Sequence, residues 1–157
     1  MSVELEAYSR PELGFAISFP AESELLEDVR GAAVIAIEPP GEGSFRANLN
    51  VVVERLDPPL GFDDYLERSL EVERRALSGH QLLDRTPATL DGAPGLRTLA
   101  HHDVDGQAVT LEQWRALVGP TAFVISASCG TLDYDGVADT FAQCAETFRL
   151  LDPVRSA

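Results

Sequence analysis

The sequence contains no lysine: every one of its 12 basic side chains is arginine, set against 26 aspartates and glutamates, for a formal net charge of −14. A Walker-type phosphate loop is thereby excluded, because its lysine must reach the β- and γ-phosphates. There is also no G-x-G-x-x-G between a strand and a helix, and no G-x-S-x-G nucleophile elbow. Nucleotide chemistry is not expected, and no cofactor is implied. Nucleic-acid affinity comes mainly from cationic side chains that displace counterions. A chain this acidic repels nucleic acid, and anionic membrane surfaces by the same argument. The two cysteines, Cys129 and Cys144, lack the close ligand pairing of a zinc motif. They read either as buried reduced thiols or, with Cα atoms within ~7 Å, as a disulfide. No apolar stretch approaches the ~20 residues of a membrane span, so direct membrane insertion is not expected. The opening MSVELEAYSRPELG has no basic stretch or signal-like apolar run, and no lipobox cysteine lies near it, so a cytoplasmic protein is expected. Absent lysine with abundant Ala, Arg and Gly fits a GC-rich bacterial genome.

What is present fits a globular chain: 45% hydrophobic and 24% charged residues sit at the averages for folded domains. The length predicts a single domain over residues 1–157, with an ordered core at about 14–150 and short flexible termini. The acidity serves either solubility or attraction of a basic partner. Pro39-Pro40-Gly41, Pro58-Pro59, Asp91-Gly92, Asp105-Gly106 and Gly119-Pro120 punctuate the chain as turns within that domain.

Between the turns lie strand-like runs at Phe15–Phe19, Ala33–Ile37, Ala47–Glu54, Leu82–Leu90, Leu96–Val104, Ala108–Val118 and Thr121–Cys129. Two helices are predicted. Phe62–Leu77 places Phe62, Tyr65, Leu66, Ser69, Leu70 and Leu77 on one stripe, with Asp64–Arg68 and Glu71–Arg75 at i, i+4 spacing and Gly79 as a stop. Tyr134–Leu150 carries Val137, Phe141, Cys144 and Phe148 on its apolar stripe, with Asp133 or Asp135 as N-cap. Strands that follow strands, joined by short turns, predict an α+β fold: a central, mostly antiparallel sheet of about six to seven strands with two long helices packed on it.

The order of these parts, from Gly14-Phe15 and Phe19-Pro20 through Asn48-Leu49-Asn50-Val51, Phe62-Asp63-Asp64-Tyr65-Leu66 and Gly92-Ala93-Pro94-Gly95 to Phe148-Arg149-Leu150, resembles the PsbP/Mog1-like fold. The likeness is to bacterial members of the DcrB and LpqN type (DUF1795-like) and covers about Gly14 to Leu150. It implies an antiparallel sheet between helices. It also implies mostly non-enzymatic roles: assembly factors, a Ran-binding nucleotide-release factor, and chaperones for transmembrane segments of secreted effectors. Members of this type are typically lipoproteins, an anchor not expected here because no lipobox cysteine stands near the opening residues.

One segment concentrates metal-ligating side chains, His101-His102-Asp103-Val104-Asp105. On a strand, His101, Asp103 and Asp105 share a face over ~13 Å, too long for one ion unless the chain curls at the Asp105-Gly106 turn. His80, beside Gly79, reads as a surface residue. Ser126, Ser128 and Cys129 lack a sharp turn or helix N-terminus to activate them. Catalysis is therefore not expected. The mixed sheet residues are more informative: Asn48 and Asn50 on one strand, Glu112 and Trp114 on another, Arg97 on a third. They form either an amphipathic groove for a peptide or helix, with Trp114 as anchor, or a solvated face with Trp114 covered by a helix. The sequence thus reads as a non-catalytic protein-binding module, an adaptor or chaperone. Its partner would be another protein or peptide segment, such as a hydrophobic segment of a secreted or membrane protein. The alternatives are a small metal-dependent enzyme or sensor on His101–Asp105, and a structural protein that self-associates as a homodimer.

Overall fold

The computed structural model of the chain describes residues 3–41 and 45–151. Among them are ten strands and two α-helices, in the order β1 (Leu5–Arg10), β2 (Phe15–Pro20), β3 (Glu24–Val29), β4 (Ala32–Ile37), β5 (Asn48–Arg55), α1 (Phe62–Ala76), β6 (Gln81–Leu90), β7 (Ala93–Val104), β8 (Gln107–Val118), β9 (Thr121–Gly130), α2 (Tyr134–Glu146) and β10 (Arg149–Leu150). Strands β3-β4-β5-β9-β8-β7-β6 form a seven-stranded sheet, and β1-β2-β10 a three-stranded one. Every strand pair is antiparallel. The α+β expectation holds, and β6 to β9 pair in succession as a meander.

Register decides which side chains share a face. Val34 pairs with Val51, Val51 with Ile125, Ile125 with Trp114, and Trp114 with Arg97. That row points towards α2 and the small sheet, where Phe15, Phe123, Phe141, Cys144 and Phe148 complete the main core. Phe148 stacks on Phe15 with centroids 6.0 Å apart and meets Phe123 edge-on at 5.6 Å. The neighbouring row, Ile35–Asn50–Ser126–Gln113–Thr98, points the other way, towards α1. There a second cluster gathers Leu56, Tyr65, Ala122 and Val124, flanked by Val52, Phe62 and Leu117.

Three strands escape the sequence pattern. β1 and β3 are polar and largely exposed, so neither shows an apolar face to read. The fold therefore begins well before Gly14. β10 replaces the expected last turn of the second helix. Thr147 Oγ1 donates to the Cys144 carbonyl at 2.6 Å and accepts the Ser18 amide at 2.8 Å, which ends α2 and turns Phe148 into the core. Asp133 precedes α2 in the N-cap position without a side-chain cap bond. The turns at Asp91-Gly92 and Asp105-Gly106 place both residues at positive φ, as two-residue hairpin loops of this hand require. Gly95 has a different reason: a Cβ there would run into the Arg115 carbonyl oxygen on the neighbouring strand. Cys129 and Cys144 are buried free thiols, pushed up to about 12 and about 11 by burial.

Candidate functional site, a half-covered sheet face beside α1

α1 rests its Tyr65, Leu66 and Leu70 on the large sheet, leaving Asp63, Asp64, Glu67 and Arg68 exposed. One 15-residue helix cannot span seven strands that lie ~4.8 Å apart. It covers the β7–β9 side, and the β4–β5 side stays open. Asn48, Asn50, Val52, Ile35 and Ser128 on this face are all half-buried, their backbones bonded into the ladder and their side chains reaching solvent. Along the helix runs a groove of about 530 Å³, walled by Tyr65, Arg68 and Val72 and floored by Val52, Gln113 and Ser126. Its mouth is marked by the Arg68–Glu54 ion pair at 3.0 Å. Arg68 thus pairs across to β5 and not with Asp64 as the helical spacing suggested, whereas Glu71–Arg75 forms as expected at 2.8 Å.

The helix is held by a buried arginine. Arg115 has no exposed side-chain surface, and its guanidinium donates to Glu73 at 2.6 Å, Ser69 at 3.2 Å, Thr98 at 3.0 Å and Gln113 at 3.0 Å. Gln113 in turn donates to Ser126 Oγ at 2.9 Å, so the network runs from α1 to the edge of the open face. A buried guanidinium needs such complete pairing, since losing a partner strands a charge in low dielectric. Its sequence signal is a lone arginine in the otherwise apolar Trp114-Arg115-Ala116-Leu117-Val118 run.

At the C-terminal end of α1 the polar groups are less well satisfied. His80 Nε2 lies 3.8 Å from Glu73 Oε2, and both atoms, with His102 Nδ1, are buried without a hydrogen-bond partner. The His80 side chain is only 5% exposed, which corrects its reading as a surface residue: the turn at Gly79 folds it back under the helix. Burial holds the His102 imidazole below its usual range, and the nearby His80 pushes the same way.

The five residues expected to share a binding face do not. Asn48 and Asn50 lie on the open face. Trp114, Glu112 and Arg97 lie on the α2 face, and Trp114 is 7% and Glu112 3% exposed. Arg97 Nε donates to Glu112 Oε2 at 2.5 Å and its NH2 to the Tyr134 hydroxyl at 3.3 Å, so this pair joins α2 to the sheet. Trp114 is core, as the covered-by-a-helix alternative had it. His101, Asp103 and Asp105 stay spread along β7 and its turn, and among the described residues no three His, Cys, Asp or Glu side chains are placed to hold an ion. Nor is any described helix long and apolar enough to cross a membrane.

The family profile described as DcrB matches residues 24–147, most of the chain. The chain belongs to the DcrB family. No curated protein matches it. Among solved structures, this DcrB-family chain is similar to the cyanobacterial PsbP (CyanoP) of Synechocystis sp. PCC 6803, with TM-score 0.68 and 13% identity over 96% of this chain and 94% of that one. It is similar to LpqN of Mycobacterium tuberculosis, involved in cell envelope biogenesis, with TM-score 0.65 and 16% identity over 95% and 92%. It is also similar to the Ran-binding protein Mog1p of Saccharomyces cerevisiae, with TM-score 0.63 and 13% identity over 97% and 98%. At these identities the likeness fixes the fold, PsbP/Mog1-like, and leaves function to the site.

Proposed function

We propose that this DcrB-family protein is a non-catalytic protein-binding module, an adaptor that takes its partner on the open half of the large sheet beside α1. The observation that carries the reading is the partial cover: a rigid, fully laddered sheet face with a groove of about 530 Å³ along the helix. Beside the groove, the half-buried Asn48, Asn50 and Ser128 stand with Ile35 and Val52 on one face, the mixed surface that protein interfaces use, over a buried floor of Gln113, Ser126 and Val124. Among the described residues, the most exposed large apolar side chains are distributed over different segments: Val3 before β1, Leu25 on β3, Val72 on α1, Leu83 on β6 and Leu132 before α2. They form no continuous greasy strip, which favours a partner of mixed polarity over a bare hydrophobic segment. Cys129, raised by burial, is the opposite of an activated nucleophile, and Ser126 Oγ is engaged by Gln113, which supports a binding role over catalysis. Mog1p, a Ran-binding protein on the same fold, is a precedent for protein partners.

The test is a pull-down from native lysate with the wild-type chain and Asn50→Arg as baits. Asn50 reaches solvent from a strand whose other face is core, so the variant folds with unchanged Tm and loses the partner. Retention of every specific partner by the folded variant contradicts the reading.

A further inference from the structure

A second cavity lies on the opposite face of the large sheet, between the Pro20–Ser23 turn, the ends of β4 and β5, and the first turns of α2. It encloses about 370 Å³, at the small end of the ~300–1,000 Å³ typical of ligand clefts. Leu49, Phe141, Val137 and Ala36 form an apolar interior. The room comes from small residues: Ala21, Ala47 and Gly136 stand where larger side chains would close it.

Gly136 is the informative one. A glycine inside a helix is up to ~1 kcal/mol worse than alanine and is normally kept for a positive φ or a close approach. Neither applies here, because its φ is not in the left-handed region and a Cβ added to it meets no atom within 4 Å. It lies exposed at the cleft wall with free space where a side chain would stand.

The rim has one sign of charge. Glu4, Glu22 and Glu38 line it, and among the described lining residues none is basic. Arg46, next to the site, is not among the lining residues; its guanidinium is held on the Glu38 main-chain carbonyl at 2.8 Å and on Glu24 at 3.2 Å. Glu38 Oε1 accepts the Ala47 amide at 2.8 Å, which fixes that carboxylate at the cleft edge. Glu4 and Glu22 are exposed and accept no hydrogen bond from another side chain among the described contacts. An apolar pocket with an acidic rim complements an apolar side chain carried between cationic ones.

We propose that this cleft is a second binding site, taking an apolar side chain flanked by Arg or Lys from an extended segment of a partner protein. It does not rest on the open-face reading, since the two sites use opposite faces of the sheet and share no residue that the tests alter.

Fluorescence anisotropy of the full chain tests it, with a fluorescein-labelled Gly-Ser-Arg-Leu-Phe-Arg-Ser-Gly peptide as probe. Two controls replace its arginines by glutamate or its Leu-Phe by Ser-Ser. The probe saturates the wild-type chain, and each control binds at least about tenfold more weakly. Gly136→Leu fills the cleft and weakens the probe by about tenfold or more at unchanged or raised Tm. The Glu4→Gln/Glu22→Gln double variant weakens it several-fold, a difference that vanishes at high salt. Asn50→Arg, on the far face, binds as wild type does. No saturation by ~1 mM probe, equal binding of the glutamate control, or full binding by Gly136→Leu overturns the proposal. Loss on Asn50→Arg with retention on Gly136→Leu likewise overturns it while supporting the open face.

Discussion

Replacing Arg115 by methionine removes the charge that fastens α1 to the sheet while roughly keeping its volume. Four hydrogen bonds go, and the Glu73 carboxylate, 16% exposed, loses its arginine partner and is left beside the His80 imidazole at 3.8 Å. Breaking a buried pair from one side costs about 3–5 kcal/mol, because the remaining charge is stranded. Glu73's residual exposure puts the expected loss near the lower figure, about 3 kcal/mol, or roughly 6–12 °C in Tm for a chain of this size. The double variant Arg115→Met/Glu73→Leu removes both charges and should recover most of that loss, since buried ion pairs and apolar substitutes are often near equal. Urea unfolding of the wild type, both single variants and the double variant gives the full cycle and its coupling energy. A single-variant loss under about 1 kcal/mol, or a double variant no better than Arg115→Met, refutes the account of how α1 is held.

Two further outcomes are expected. Trp114→Ala should cost about 3–5 kcal/mol by opening a cavity in the main core, so any partner it loses in a pull-down reflects unfolding; a Tm within a degree or two of wild type would show the ring is not core. His102 is held below its usual range by burial, so the unfolded chain takes the proton first as pH falls through about 6.5, and stability drops from there until the folded state also protonates. Urea midpoints at about pH 7.5 and 5.5 should therefore fall more in the wild type than in His102→Gln, and parallel loss in both would contradict the assignment.

How much of this was legible in the sequence follows from what each element buries. α1 and the β6–β9 meander could be read because their apolar periodicity answers to one covered face, and their turns carry Asp-Gly or Gly-Pro. β1 and β3 could not, because neither edge strand carries a buried stripe, and β3 is rich in acids besides. The site was half legible. Alternation puts Asn48 and Asn50 on one face of β5, and Glu112 and Trp114 on one face of β8, as observed. It could not say that these faces are opposite, because that depends on the register Val51↔Ile125 between β5 and β9, which lie far apart in the sequence; the hairpin pairing Ile125↔Trp114 only carries it on to β8. Polarity misleads at this point: Glu112 and Arg97 face α2 as a pair, while the apolar Val52 and Ile35 lie half-buried on the open side. Arg115 and His80 were missed for the same reason. Arg115 in the sequence does not reveal that a carboxylate distant in the chain, Glu73, pairs with it in the interior, nor His80 that it packs near the same carboxylate.

The open face is probed most directly by site-specific photo-crosslinking, with a benzophenone side chain placed at Asn50 and, as a control, at Leu83 on the exposed β6 edge. Illumination in native lysate should join the Asn50 derivative to a discrete protein and leave the Leu83 derivative without that adduct. The same adduct from both positions, or from Leu83 alone, would contradict a partner seated beside α1.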